Sequence, residues 1–277
     1  MKRARFIVIG LIGVALIYFV SCQKNDRNNN FGTLRVSITD DPFPVEFIDE
    51  ASITITKVEI RKKDSNEGNP FITIYDDTTE YDLLELRNGI VADLPGLEVP
   101  VGSYDLIRIY VDKASISIKD FNTYDLKVPS GSQTGIKVFI EPDLRVEGGL
   151  TTELLLDFNL DKSFVLKGNT HTPAGIKGFN FKPVIRAVNN STAGRIEGMV
   201  SDTSSVILPN AEVWIMKDTT IAKAYTDSTG FYAILGIEEG PYSLFSTKEN
   251  YDTVMYNDVV IISANRTVRN FELTPKN

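Results

Sequence analysis

The stretch Asp105–Ile118, which reads DLIRIYVDKASISI, decides the fold because its apolar positions follow a period of two residues. Ile107, Ile109 and Val111 fall on one side of an extended chain, the pattern of a β-strand in a sheet. The same period recurs elsewhere. It is found in residues 33–39, 51–60, 136–140 and 154–158. Turn-forming Gly, Pro, Asn, Asp and Ser residues separate these runs, so the sequence predicts an all-β protein with sandwich-like domains.

Two segments depart from simple alternation. In residues 51–60 the pattern is mixed, which predicts a bulge or a twisted strand. Residues 81–87 are the helical candidate, and they are too short to change the fold class.

The domain organisation follows from changes in composition. We predict a leader at 1–21, a polar tether at 22–30, a β-rich domain at 31–189, a linker at 190–193 and a second β-sandwich at 194–277. The linker is placed where a run of small and polar residues separates two alternating segments. A hydrophobic content of 42% is typical of folded domains.

The leader has the layout of a secretory signal. Lys2, Arg3 and Arg5 make a basic start, and residues 6–20 carry no charge before the small residue Ser21. A transmembrane anchor is one alternative, although such a helix needs roughly 20 apolar residues to span the hydrocarbon core. An ordinary secretory signal that leaves a free thiol is the other.

The only cysteine, Cys22, follows this leader directly. Phe19-Val20-Ser21-Cys22 resembles the lipobox of bacterial lipoproteins. That resemblance implies that Cys22 becomes the lipidated N-terminus and holds the protein on a membrane. We therefore expect a cell-envelope location, at the outer membrane of a Gram-negative bacterium. The polar residues of the tether would then act as a flexible spacer.

Net charge excludes one class of partner. Without residues 1–21 the chain carries 26 Lys and Arg against 37 Asp and Glu, a balance of −11. Such a surface repels phosphate backbones, and no basic stripe with interleaved aromatic residues is present, so we expect no nucleic-acid partner.

The segment after the linker contains a set of ordered motifs. They are Gly194–Asp202, Pro209–Val213, Thr226–Tyr232, Gly236–Tyr242 and Asn270–Leu273. Together they resemble the carboxypeptidase regulatory-like domain, a small transthyretin-like β-sandwich without catalytic residues of its own. The residue types agree with this resemblance: we expect Gly198 to let the first strand bend, Gly230 to take a positive φ in a tight turn, and Phe231 to enter the core.

The first domain carries its own ordered motifs. They are Gly32–Asp40, Tyr81–Gly89, Pro100–Arg108, Val128–Gly131, Leu154–Asn159 and Lys182–Arg186. This set resembles the bacterial domain of unknown function 4382. The resemblance implies an extracellular, β-rich domain and brings no established activity.

The sequence does not assemble a catalytic group. His171 is the only histidine and lies in a loop-like setting, and Cys22 is assigned to lipid, so neither a Ser-His-Asp nor a Cys-His mechanism is predicted. Phosphate loops and zinc spacings are not found. We predict no catalytic residues, no cofactor and no metal site.

Calcium is the one metal that a motif brings into consideration. Asp157-Phe158-Asn159-Leu160-Asp161 has a D-x-N-x-D spacing, but Lys162 stands where a calcium loop needs Gly. A strand with its apolar residues inward and its polar residues outward explains the same spacing. The acidic pairs Asp40-Asp41 and Asp76-Asp77 are expected to be solvated turns.

Trp214, the only tryptophan, is the candidate contact residue. Ala211, Val213 and Ile215 share one face of its strand, so Trp214 should face outward. It could stack on a sugar ring, or it could be covered by a neighbouring loop or by the first domain. Glycan binding is supported here only by analogy with starch-binding modules of similar fold.

Three functions are therefore open. The first is a non-catalytic, lipid-anchored binding, adhesion or assembly module of the cell envelope, whose partner is a glycan or a protein. The second is a glycan-binding accessory lipoprotein. The third is a carboxylate-based hydrolase, which would need two acidic groups facing each other across a cleft at about 5–10 Å.

Overall fold

The structure is a computed structural model that describes residues 30–41, 47–65, 68–129, 133–169 and 173–276. Strands account for 64% of the described residues and helix for 4%. The predicted all-β class, with sandwich-like domains in tandem, is confirmed.

The described strands before residue 190 are numbered β1 to β13. They are β1 Phe31–Asp41, β2 Ile48–Lys62, β3 Phe71–Tyr75, β4 Thr79–Asp82, β5 Ala92–Asp93, β6 Leu97–Pro100, β7 Gly102–Ile118, β8 Thr123–Leu126, β9 Ile136–Val146, β10 Thr151–Asn159, β11 Phe164–Gly168, β12 Ile176–Phe181 and β13 Ile185–Asn189.

The strands after residue 193 are numbered β14 to β21. They are β14 Gly194–Asp202, β15 Glu212–Met216, β16 Thr220–Tyr225, β17 Phe231–Ile237, β18 Gly240–Thr247, β19 Val254–Ile261, β20 Arg266–Val268 and β21 Phe271–Leu273.

The first domain is built on one large sheet with the order β3-β2-β7-β9-β13-β10-β1-β5. Three further strands pair with members of this sheet: β4 with β2, β6 with β1, and β8 with β7. The strands β11 and β12 form a separate hairpin. Buried side chains from both halves of the large sheet belong to one core, so the sheet curves around it. β1 and β10 run parallel, from the pair Thr33 and Thr151 to the pair Asp41 and Asn159.

The long strands β2 and β7 supply the centre of this core. Ile107, Ile109 and Val111 are fully buried, and each such side chain contributes roughly 1.5–3 kcal/mol by leaving water. The register of β2 against β7 shifts between Thr54 and Ile55 and again before Lys57. The predicted bulge in residues 51–60 is therefore confirmed.

The second domain is a sandwich of two four-stranded sheets. One has the order β17-β14-β20 with β21 also on β14, and the other has the order β16-β15-β18-β19. Ala211, Val213 and Ile215 are fully buried between them, as their alternation predicted.

The helical candidate at 81–87 is wrong in its extent. Tyr81 and Asp82 end β4, and only Leu83–Glu85 form a 3₁₀ turn, whose Leu84 N–H donates to Oδ1 of Asp82 at 3.0 Å. The α-helix of the described chain, α1, lies instead at Leu160–Ser163. A second 3₁₀ turn spans Pro173–Gly175.

Two details of the second domain differ from the sequence expectations. Gly198 is required by close approach, since a Cβ there would lie 1.7 Å from the carbonyl oxygen of Arg269. Phe231 is only half-buried, and its neighbour Tyr232 fills the core instead. Gly230 does adopt a positive φ of 79°, as predicted.

The linker forms hydrogen bonds with both domains. On one side, the Asn190 N–H donates to the carbonyl oxygen of Glu153 at 2.9 Å. On the other, the Ala264 N–H and the Ser263 hydroxyl donate to the carbonyl oxygen of Thr192 at 3.1 and 2.7 Å. The second domain packs against the β1-β10-β13 part of the first, where Gly236 approaches Leu155 and Val188.

Candidate binding surface

Trp214 lies on the outer face of its sheet and stacks on Phe245. The two residues are directly paired between β15 and β18, and their ring centroids are 5.0 Å apart at an interplanar angle of 4°. Both side chains are half-buried. Parallel, offset rings at this distance contribute about 0.5–1.5 kcal/mol beyond the area that they bury.

The pair is part of a row that crosses the whole sheet. Lys223 on β16 is paired with Trp214, and Met255 on β19 is paired with Phe245. We call Trp214, Phe245 and Met255 the aromatic row. Met255 is 50% exposed, so one end of the row is open to solvent. The row offers an apolar contact area with one polar group, the indole N–H.

Phe245 and Met255 were not identified from the sequence. An alternation along β18 could have placed Phe245 on the outer face. Tyr242, Leu244 and Ser246 are buried, and Phe245 lies between them on the opposite side of the strand. Placing it beside Trp214 required the pairing of β15 with β18, which a single sequence does not contain.

A partly buried ion pair of the first domain lies at the boundary with the second domain. Asp157 and Arg186 occupy paired positions on β10 and β13, with Nη2 and Nε of Arg186 lying 2.5 and 3.2 Å from Oδ2 of Asp157. Nη1 of Arg186 donates to the carbonyl oxygen of Gly236 in the second domain at 2.7 Å. We call Asp157, Arg186 and Gly236 the interdomain clamp.

The clamp corrects the expectation for the D-x-N-x-D segment. Asp157 is 6% exposed because the second domain covers the face that was predicted to be solvated. Asn159 accepts the Lys162 N–H at 2.9 Å and caps α1, which carries Asp161 on its first turn. Phe158 and Leu160 are fully buried, as predicted.

Asp40 is also buried, and its prediction as a solvated turn residue is wrong. It is 5% exposed at the end of β1 and lines a crevice of about 10 Å³ together with Asp157, Asn88 and Lys223. Nδ2 of Asn88 donates across the domain boundary to the carbonyl oxygen of Tyr225 at 2.9 Å. Asp76 and Asp77 are exposed, and the side chain of Asp41 lies outside the described residues.

Carboxylates meet at a second place between the domains. A cleft of about 340 Å³ is lined by Glu141, Glu238 and Glu239 among others. All three are exposed to solvent, whereas the acid of a glycosidase usually sits in apolar surroundings. Among the residues that the structure describes, no group of three or more His, Cys, Asp and Glu side chains could hold a metal ion.

Comparison with known families now identifies the first domain. Residues 31–183 match the family described as Domain of unknown function (DUF4382). The chain belongs to this family. Residues 195–274 match the carboxypeptidase regulatory-like domain. Both resemblances seen in the sequence are confirmed.

Comparison with individual proteins adds little. No curated protein matches the chain. The Bacillus anthracis TIE protein is 15% identical with a TM-score of 0.26, and the match covers 89% of this chain and 34% of that one. The shaft pilin SpaA from Lactobacillus rhamnosus GG is 11% identical with a TM-score of 0.27, covering 88% and 98%. The minor pilin GBS52 of Streptococcus agalactiae is 10% identical with a TM-score of 0.25, covering 88% and 96%. The chain spans about a third of the TIE protein's length, and similarity of this degree carries no argument about function.

Two residues singled out in the sequence, Cys22 and His171, lie outside the described residues. Lipid attachment at Cys22 therefore stays a prediction. In the described ranges there is no helix that is both long and apolar enough to cross a bilayer.

Proposed function

We propose that the protein is a lipid-anchored, non-catalytic module of the bacterial cell envelope that binds a partner through the aromatic row. The observation that carries this proposal is the stacked pair of Trp214 and Phe245 on an outer sheet face, continued by the exposed Met255. Large aromatic and Met side chains grouped on a surface are typical of contact sites.

The interdomain clamp supports the same function. An adhesion or assembly module must present its contact surface in a defined orientation. Arg186 bonds to a carboxylate of one domain and to a carbonyl of the other, which holds the second domain, and with it Trp214, in place against the first domain.

The anchor is tested at Cys22. The Cys22→Ala variant should leave the membrane fraction, because the lipid-bearing thiol is missing. Its matched control replaces residues 1–22 with a cleavable secretory signal that contains no cysteine. Mass spectrometry of the wild-type N-terminus should show an acylated Cys22. An unmodified thiol, or a control chain that stays with membranes, contradicts the anchor.

Glycan binding is the second candidate, and the same aromatic row favours it because sugar rings stack on aromatic faces. Pull-down on insoluble polysaccharides and glycan arrays should detect binding that Trp214→Ala and Phe245→Ala reduce. Phe121→Ala is the matched control, since Phe121 is a 55% exposed aromatic residue of the first domain. If all three variants lost glycan binding equally, or if none lost it, the aromatic row would not be the glycan-binding site.

A further inference from the structure

A groove of about 620 Å³ runs between the two domains on the side of the linker. Its walls include Arg195 and Arg266 from the second domain and Glu153 from the first, with Val91 and Leu235 as apolar lining. A volume of 300–1,000 Å³ is typical of sites that enclose a ligand, and such sites are frequent at domain boundaries. Neither family match assigns a role to this groove.

The two arginines give the groove wall a positive character on an acidic chain. Nε of Arg195 lies 3.6 Å from Oε2 of Glu197, and Nη1 of Arg266 lies 3.1 Å from Oε1 of the same carboxylate. One negative charge is thus shared by two positive ones. The arginine side chains are 51% and 56% exposed, while that of Glu197 is 17% exposed. Each guanidinium has five N–H donors and binds carboxylates in a planar, bidentate manner.

The strand that carries Arg266 has a free edge. Among the described strands β20 pairs only with β14. The Arg269 N–H donates to the carbonyl oxygen of Glu197 on β14, so the odd-numbered positions of β20 face its partner. The Arg266 N–H donates instead to the Asn265 side chain at 2.8 Å and so faces away. By the two-residue period of a strand, the backbone of Val268 faces the same way, and its side chain is 52% exposed.

We propose that this groove binds an extended acidic peptide segment of a partner protein, which adds to the outer edge of β20. The free edge favours a peptide over a sugar, because only a peptide can continue the ladder of backbone hydrogen bonds. Side chains of an extended peptide alternate, so every second side chain of a peptide paired with β20 lies on the sheet face that carries Arg195 and Arg266, and carboxylates at those positions meet both guanidinium groups. Peptide binding in this groove does not depend on lipid at Cys22. An experiment that finds no peptide binding would therefore leave the proposed lipid anchor untouched.

The probe is a fluorescent eight-residue peptide of alternating Val and Glu, and the chain used is residues 22–277. Fluorescence anisotropy should show binding that weakens as salt rises, and the same peptide with Gln in place of Glu should bind at least about tenfold more weakly. The Arg195→Gln, Arg266→Gln double variant should lose a similar factor. Arg145→Gln, which removes a 77% exposed arginine of the first domain, should bind like the wild type.

Two further measurements exclude trivial explanations. Glu153→Gln removes the negative charge on the opposite wall and should tighten binding of the acidic peptide a few-fold, a gain that misfolding cannot produce. Two versions of the peptide, N-methylated at odd or at even positions, test the strand edge, and at least one should bind several-fold more weakly than the parent.

Several outcomes would overturn the proposal. They are no binding of the Val-Glu peptide by the wild type, equal binding of the Gln peptide, unchanged binding by the double arginine variant, and unchanged binding of both N-methylated peptides. A polygalacturonate oligosaccharide that binds more tightly than the peptide would assign the groove to acidic glycans and equally overturn it.

Discussion

At the scale of single residues, Tyr104 couples the stability of the first domain to alkaline pH. Its ring is fully buried, and its hydroxyl donates to the carbonyl oxygen of Pro100 at 2.6 Å. Burial raises the pKa of Tyr104 to about 12, whereas an unfolded tyrosine titrates near 10. The stabilisation by the neutral ring is therefore complete below about pH 10 and is lost as the pH rises towards 12.

We expect the free energy of unfolding to fall by about 1.4 kcal/mol per pH unit in that window because of this ring. Burial also raises the pKa of Tyr81 to about 12, so the total slope is steeper. Urea titrations of the wild type and Tyr104→Phe isolate the Tyr104 contribution, which should disappear in the variant. The variant also loses a hydrogen bond worth about 1 kcal/mol near neutral pH. Identical slopes for both proteins would show that Tyr104 ionises as freely in the folded state as in the unfolded one.

At the scale of elements, the aromatic row links the three strands β15, β18 and β19. Phe245→Ala removes the ring that covers one face of Trp214, so the emission of this single tryptophan should shift to longer wavelength. The free energy of unfolding should fall by about 1–3 kcal/mol, from the lost stacking and the lost burial of a half-exposed ring. Phe121→Ala serves as the control, and Trp214 emission in that variant should stay as in the wild type. An unshifted spectrum for Phe245→Ala would mean that other groups shield the indole.

Alternation predicted the elements well where one face is apolar over many residues, as in β7 and in β15 with Val213 and Ile215 inside. It failed for Phe231 and Tyr232, because adjacent aromatic residues directly after a turn do not show which of the two faces inward. It also failed at 81–87, where the apolar spacing fits a single helical turn as well as the end of β4. The strand pairing that brings Phe245 to Trp214 depends on contacts distant in sequence.

At the scale of the whole molecule, the interdomain clamp should determine whether the two domains behave as one body. Arg186→Ala leaves Asp157 buried without this partner and removes the bond to Gly236. We expect a loss of about 2–3 kcal/mol, below the range for a fully buried pair because the Arg186 side chain is 31% exposed. Denaturation should show this loss, and proteolysis at residues 190–193 should become faster.

Arg145→Ala is the control for the clamp, because its exposed pair with Glu147 is expected to contribute under about 1 kcal/mol. Equal stability and equal cleavage rates for the Arg186 and Arg145 variants would contradict a role for the clamp. This part of the molecule was not predictable from the sequence. Asp157 points away from the core residues Leu156 and Phe158, and the packing of the second domain buries it, whereas Asp40 shares the buried face of β1 with Ile38 and its Oδ1 accepts the Leu160 N–H at 3.3 Å.

The path of the chain through the first domain has a consequence for how far the protein can extend. β1 begins beside Thr151, and β13 ends beside Leu154, so the chain enters and leaves this domain at the same end. The second domain then lies back along the β1-β10-β13 face. Release of the clamp, together with the hydrogen bond from Asn88 to Tyr225, would let the second domain rotate about the linker. The end of the second domain farthest from the linker would then move away from the first domain, and a partner too distant for the closed molecule would come within range.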